Sequence, residues 1–318
     1  MGSFRTKVVH AGLTAGIFAA AFALAPSAHA AAARPAHAAA ARPAPAQPAE
    51  PAGQPVDLEL IIATDTSGSI DWDEARLQRQ GVATAFKSPE VGRAIQSGGL
   101  GRIAVAYVDW SSDPYTRVVL DWHVISNPAS ATAFADALMK APPPDGNGTD
   151  IGGALLLAAN MIETNAFRGT RRTIDISGDG PYNRGYPVSY MRDEIVKRDI
   201  TINGLPIISE SYGGGDWGIY YGDIAQYYIN CVIGGRGSFA IPAKGLQEFA
   251  QAMRRKLVLE ISEDLPAVRQ AAAKGFIKVA ATPQAANPLR PTPARPNQAE
   301  AAQNCNTTGN TRGRGRFR

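Results

Sequence analysis

Asp65, Ser67 and Ser69 place three oxygen-bearing side chains at alternate positions directly after the apolar run VDLELIIAT, residues 56–64. A buried core has no use for such a triplet. Hard oxygen donors suit Mg²⁺, which takes six oxygens at about 2.0 to 2.1 Å and keeps several waters. Three oxygens do not complete that shell, so further donors must come from other loops. Thr149, in the Gly-rich stretch GNGTDIGG, and Asp179, in ISGDG, are the two candidates. Either alone is an ordinary turn or helix-capping residue; the set in order points to a metal site. Asp150, beside Thr149, is read as a helix start rather than a ligand.

The elements that must carry these residues alternate between strand and helix. Residues 56–64 turn continuously apolar, as a strand covered on both faces should. Residues 71–87 open with acids and carry Ala75, Leu77, Val82, Ala85 and Phe86 near helical spacing. RIAVAYVDW (102–110) and RVVLDWHVI (117–125) form a hairpin across a short polar turn. Helices over 129–140 and 151–163 follow, then a strand at 171–178, a helix at 188–198 and a strand at 200–208. A short helix near Cys231, the strand SFAIP (238–242) and a helix at 244–261 close the domain. The pattern predicts an α/β fold: a doubly wound, Rossmann-like, mostly parallel sheet with helices on both faces and one antiparallel edge hairpin. Ligands in such sheets gather at the carboxyl ends of the strands, where the winding reverses. The Asp65 turn sits at such an end.

Asp65-x-Ser67-x-Ser69, Thr149 on a Gly-rich loop before a helix and Asp179 after an apolar strand together resemble the metal-ion-dependent adhesion site (MIDAS) of von Willebrand factor A-type domains. The stretches GRIAVAYVDWS, RRTIDISGDGPYNRG, ITINGLPI and YYINCVIGG are similar to a bacterial family of exported proteins with such a domain and no assigned activity. The resemblance implies a divalent cation, normally Mg²⁺, with Mn²⁺ or Ca²⁺ as alternatives. It implies that Ser67 and Ser69 ligate through their hydroxyls, Thr149 directly or through water, and that Asp65 and Asp179 hold metal-bound waters. Neutral hydroxyls leave the cation under-neutralised, so a carboxylate from a protein partner can complete it.

The chain's ends read differently from its centre. Residues 1–30 have a signal peptide's form: Arg5 and Lys7, an apolar run from Ala11 to Ala25, and the small-x-small site Ala28-His29-Ala30. That run is too short for a convincing transmembrane span. The expected location is the periplasm or the exterior of a bacterium. Residues 31–55 are an Ala/Pro linker, and residues 263–318 a disordered basic tail. Residues 56–262, the expected domain, hold 19 Lys+Arg against 24 Asp+Glu, net −5, whereas the tail holds 9 against 3, net +6. The chain's basic character is therefore the tail's, which permits envelope association; an exported protein seldom meets nucleic acid, so none is expected as a partner.

Cys231 lies in the domain and Cys305 in the tail. An oxidising compartment permits their disulfide, but a core tied to a tail is a poor staple. Cys231 is instead expected as a small buried apolar residue. Arg254, Arg255 and Lys256 are expected on a solvated face, and the aromatics Trp217, Tyr220, Tyr221, Tyr227 and Tyr228 either as contact groups or as core. A hydrolase would need His123, the domain's one histidine, beside a crevice serine, and no nucleophile-elbow, metalloprotease or phosphate-loop motif is present. An enzyme is not expected; a structural envelope module with a vestigial site is the alternative, with a metal-dependent hydrolase after it.

Overall fold

The computed structural model of the protein describes residues 53–208 and 224–262, together with 266, 270, 277–279 and 305. The expected signal peptide, most of the linker, and Trp217, Tyr220 and Tyr221 lie outside the described residues.

Strand β1 (Gln54–Asp65) begins inside the expected linker and lies within the sheet, between β2 and β4. After it come α1 (Trp72–Phe86), α2 (Pro89–Gln96), β2 (Ile103–Trp110), β3 (Arg117–Ile125), α3 (Pro128–Lys140) and α4 (Ile151–Thr164). The second half holds β4 (Phe167–Gly178), α5 (Val188–Val196), β5 (Thr201–Ile208), the short α6 (Ile224–Tyr227) with a π turn at Tyr228–Val232, β6 (Phe239–Ala240), β7 (Ala243–Lys244), α7 (Phe249–Ser262) and β8 (Lys278–Val279). The strand order is β3-β2-β1-β4-β5-β6-β8, with β7 pairing β5. Neighbours from β2 to β6 run parallel, and β3 pairs β2 antiparallel, as the expected hairpin. A second antiparallel pair, β6 with β8, closes the other edge.

Strand alternation explains the two layers of core. Leu58, Leu60 and Ile62 point to one face, where Phe86, Phe134, Phe249 and Leu257 of α1, α3 and α7 cover them. Ile61 and Ala63 point to the other, beneath Leu155 of α4, Ile195 of α5 and Tyr228 of the π turn. Apolar without a break from Leu60 to Ala63, β1 there loses the polar alternation of a half-exposed strand.

Several expectations need correction. Helix α2 is new: Ser88 caps it by accepting from Val91 N (3.3 Å) and Pro89 stands at its first turn, a start signal inside an otherwise loop-like stretch. On α1, Leu77 faces solvent while Gln78 and Arg79 are buried, because both polar side chains have partners inside. Lys256 is fully buried rather than solvated. Its Nζ lies 2.7 Å from Asp175 Oδ1 on β4 and also pairs with Glu260 one turn along α7. The segment expected to be wholly a disordered tail contributes β8, the buried Ile277 and the buried Cys305. The run FIKV (276–279), short and rich in strand formers, is diluted by its Ala/Pro surroundings in a composition average. Cys231 is not free: it forms a disulfide with Cys305, and both sulfurs sit in the core cluster around Tyr228 and Val232.

Candidate metal centre

Strands β1, β2 and β4 run parallel and end together, at Asp65, Trp110 and Gly178. The chain leaves β1 for β2 on one side and returns to β4 on the other, so the reversal of winding falls at β1. The ends are stitched together: Trp110 Nε1 donates to Ser177 O at 3.2 Å, Thr66 N donates to Trp110 O at 2.9 Å, and Gln78 Nε2 of α1 donates to Asp65 O at 3.0 Å.

Beyond Asp65 the chain makes a tight turn. Ser67 N donates to Asp65 Oδ1 at 2.7 Å and Ile70 N to Ser67 O at 2.8 Å. Asp71 then starts α1 with a reciprocal capping box, accepting from Glu74 N (2.8 Å) while its own N–H donates to Glu74 Oε2 (3.0 Å). The turn leaves Ser67 Oγ and Ser69 Oγ 3.1 Å apart, and Ser69 Oγ donates to Asp179 Oδ1 at 3.0 Å. Adjacent ligand oxygens around Mg²⁺ lie about 2.9 Å apart, from its bond length and octahedral geometry. The two serine hydroxyls already hold that spacing.

Thr149 is brought in by a long loop clamped at both ends. Arg79 Nη1 donates to Ala141 O (3.0 Å) and Pro142 O (2.9 Å), and Arg117 Nη2 to Pro142 O and Pro143 O, both at 2.9 Å. The buried Asp109 fixes both guanidiniums, at 2.6 Å and 3.1 Å. Past the prolines, Ser111 Oγ accepts from Asn147 N (2.7 Å) and donates to Gly148 O (3.0 Å), and Ser112 Oγ donates to Asn147 O. Gly146 must be glycine, because a Cβ there would stand 1.7 Å from Thr66 O. Asn183 completes the arrangement: its Oδ1 accepts from Thr149 N (2.9 Å), its Nδ2 donates to Thr149 Oγ1 (3.2 Å), and its own N–H donates to Thr149 O (3.0 Å).

One crevice of about 360 Å³ is thereby lined by Ser67, Ser69, Thr149 and Asp179, together with Asn183 and Arg184. Asp65 lies directly beneath, wholly buried, and its Oδ2 has no hydrogen-bond partner. Burial, and next the charge of Asp179, push the Asp65 carboxyl up to about 8; burial likewise raises Asp179. Two carboxyls in one desolvated corner, one with an orphaned oxygen, form a corner that a cation would neutralise. The donor set fits a hard divalent ion. It is a hydroxyl-based ring, unlike a cluster of three or more His, Cys, Asp or Glu, of which there is none among the described residues.

Asp150 is spent elsewhere, as expected. Its Oδ1 accepts from Gly153 N at 2.7 Å, capping α4, and from Tyr186 N at 3.2 Å. His123 faces Val105 on β2, five residues before the Trp110 end, so roughly 16 Å of strand separates it from the crevice. Its Nδ1 is engaged with Asp121 O at 2.6 Å. No nucleophile-base pair forms there. Tyr228 belongs to the core, wholly buried, and Tyr227 accepts from Tyr182 N at 3.2 Å.

Arg79, Asp109, Ser111, Ser112 and Asn183 position the site and are silent in the sequence, because each acts on a loop or strand 30 or more residues away. No curated protein matches the chain. Among solved structures, it is similar to proximal thread matrix protein 1 from the mussel byssus with a zinc-occupied MIDAS motif, at 17% identity and a TM-score of 0.45 over 67% of this chain and 49% of that one. It is also similar to the pilus adhesin SpaC from Lactobacillus rhamnosus GG, at 15% and 0.47 over 70% and 31%. A von Willebrand factor type A structure from Catenulispora acidiphila gives 18% and 0.43 over 65% and 43%. The chain thus spans half or less of each of these structures. Residues 55–265 match the family described as protein of unknown function, DUF1194.

Proposed function

The chain belongs to the DUF1194 family of proteins of unknown function, and from the crevice its domain builds we propose an exported, divalent-cation-dependent binding module of the von Willebrand A type that captures an acidic group of a protein partner. The observation that carries this reading is the row of oxygens from Ser67 through Ser69 to Asp179, opening onto solvent above the orphaned Asp65 Oδ2. In this reading Ser67, Ser69 and Thr149 offer hydroxyls, and Asp65 and Asp179 hold waters around the ion, with Mg²⁺ favoured over Mn²⁺ and Ca²⁺. When bound, the cation supplies a positive centre incompletely neutralised by its neutral ligands, which a carboxylate completes. Asn183 orients the Thr149 hydroxyl, and the Asp109 cluster holds the loop that carries it. Export rests on residues 1–30, and binding rather than turnover on a crevice whose described lining holds no histidine to pair with its serines.

Calorimetric titration of the metal-stripped chain with Mg²⁺ and Mn²⁺ should show one site, weakened more than about tenfold by Ser67→Ala and by Asp179→Ala. Thermal unfolding of each variant establishes that it folds. No binding by the parent chain, or binding indifferent to both substitutions, makes the site vestigial and removes the proposal.

A further inference from the structure

Arg184 lines the same crevice as the hydroxyl ring, is exposed to solvent, and enters no hydrogen bond or ion pair among the described residues. Its position is nevertheless defined. On one side the backbone is tied by Asn183 N to Thr149 O (3.0 Å), on the other by Tyr186 N to Asp150 Oδ1 (3.2 Å). The side-chain stem lies against Gly148: a Cβ at 148 would stand 2.6 Å from Arg184 Nε and 2.7 Å from Cδ, and the φ of +79° at Gly148 disfavours any such residue. The bare backbone at 148 is what leaves room for the Arg184 side chain along the crevice wall.

The nearby carboxylates do not claim it. Asp150 is committed to two backbone N–H groups, and Asp179 accepts from Ser69. Arg79 and Arg117 are engaged on Asp109, Arg198 on Glu163 and Arg192 on Asn230 O; Arg76, Arg93, Arg236 and Arg254 share Arg184's lack of a partner among the described residues, but none of them lines this crevice. An unmatched planar fork of donors beside a cation site is complementary to a second carboxylate, which it can grip with two parallel hydrogen bonds.

We propose that Arg184 is a specificity-determining anchor that fits the crevice to a protein segment presenting two carboxylates close together, one for the cation and one for the guanidinium. This rests on the crevice being a cation site. Two positive centres in one crevice hold a ligand that engages both more tightly than one that engages either, which discriminates against singly acidic sequences.

The test uses the Mn²⁺-loaded full chain and two fluorescent Gly/Ser peptides, one with a single Asp and one with two Asp separated by one residue, read by anisotropy. The doubly acidic peptide should bind about tenfold tighter, the scale of one charge-assisted pair. Arg184→Gln should erase that difference while leaving Mn²⁺ affinity, measured by calorimetry, within about twofold, and Arg184→Lys should keep part of it. Equal binding of the two peptides, binding of neither, or an Arg184→Gln loss shared equally by both would overturn the inference with the cation site intact. Failure of Mn²⁺ itself to bind would instead remove the cation site, and this inference with it.

Discussion

At the scale of single residues, the Thr149–Asn183 pair shows how a proposed metal ligand depends on a neighbour that would not itself ligate. Asn183 exchanges three hydrogen bonds with residue 149 and so fixes both its backbone and its hydroxyl. Asn183→Ala removes two of them and should cost about 1 to 2 kcal/mol in urea unfolding, with Mg²⁺ affinity falling in the same variant. Asn183→Asp keeps the acceptor for Thr149 N but cannot donate to the hydroxyl; calorimetry should find it intermediate. The five proposed site residues stand out in the sequence because each lies at or beside an element end, where only a turn or a ligand explains an oxygen. Asn183 was not. Nothing in PYNRG marks an asparagine whose partner lies 34 positions away.

At the scale of elements, α7 carries the largest departure from expectation. Phe249, Ala252, Met253, Lys256, Leu257 and Glu260 form its buried stripe. The spacing was readable, but three consecutive cations drew Lys256 onto the solvent face; only the meeting with Asp175, mid-strand in β4, reveals why a lysine belongs inside. Lys256→Met should destabilise the domain by about 3 to 5 kcal/mol by leaving Asp175 buried and unpaired, and Asp175→Asn in the same chain should recover much of that loss. Glu260 gives a pH signature. Burial, then the charge of Asp175, push its carboxyl from 4.5 up to about 8, against the pull of Lys256 and the Asn203 hydrogen bond. The folded chain thus keeps a proton that the unfolded chain loses at lower pH. That contribution is whole below the unfolded value and is lost as pH rises through the folded one. Glu260→Gln, which does not titrate, should show a smaller decline in urea-unfolding free energy between about pH 5 and about pH 9 than the parent chain.

Across the whole molecule, the doubly wound order was legible because strands and helices alternate with clear periods. The β6–β8 edge and the Cys231–Cys305 link were not. Both join residues far apart in sequence, the cysteines by 74 positions, through a region whose average composition argues against order. Closing so long a loop restricts the unfolded chain, so Cys305→Ser should lower stability by about 2 to 4 kcal/mol, measured against the parent chain with and without reductant.

The loop from Ala141 to Thr149 is held by two guanidiniums at its start and two serines near its end, and Asn183 locks its last residue. In the proposed function, docking at this crevice therefore begins from a pre-organised mouth. Little ordering entropy remains to be lost on docking, so rapid, rigid-body encounter is the expected kinetic regime, with selectivity expressed chiefly in how slowly the complex separates.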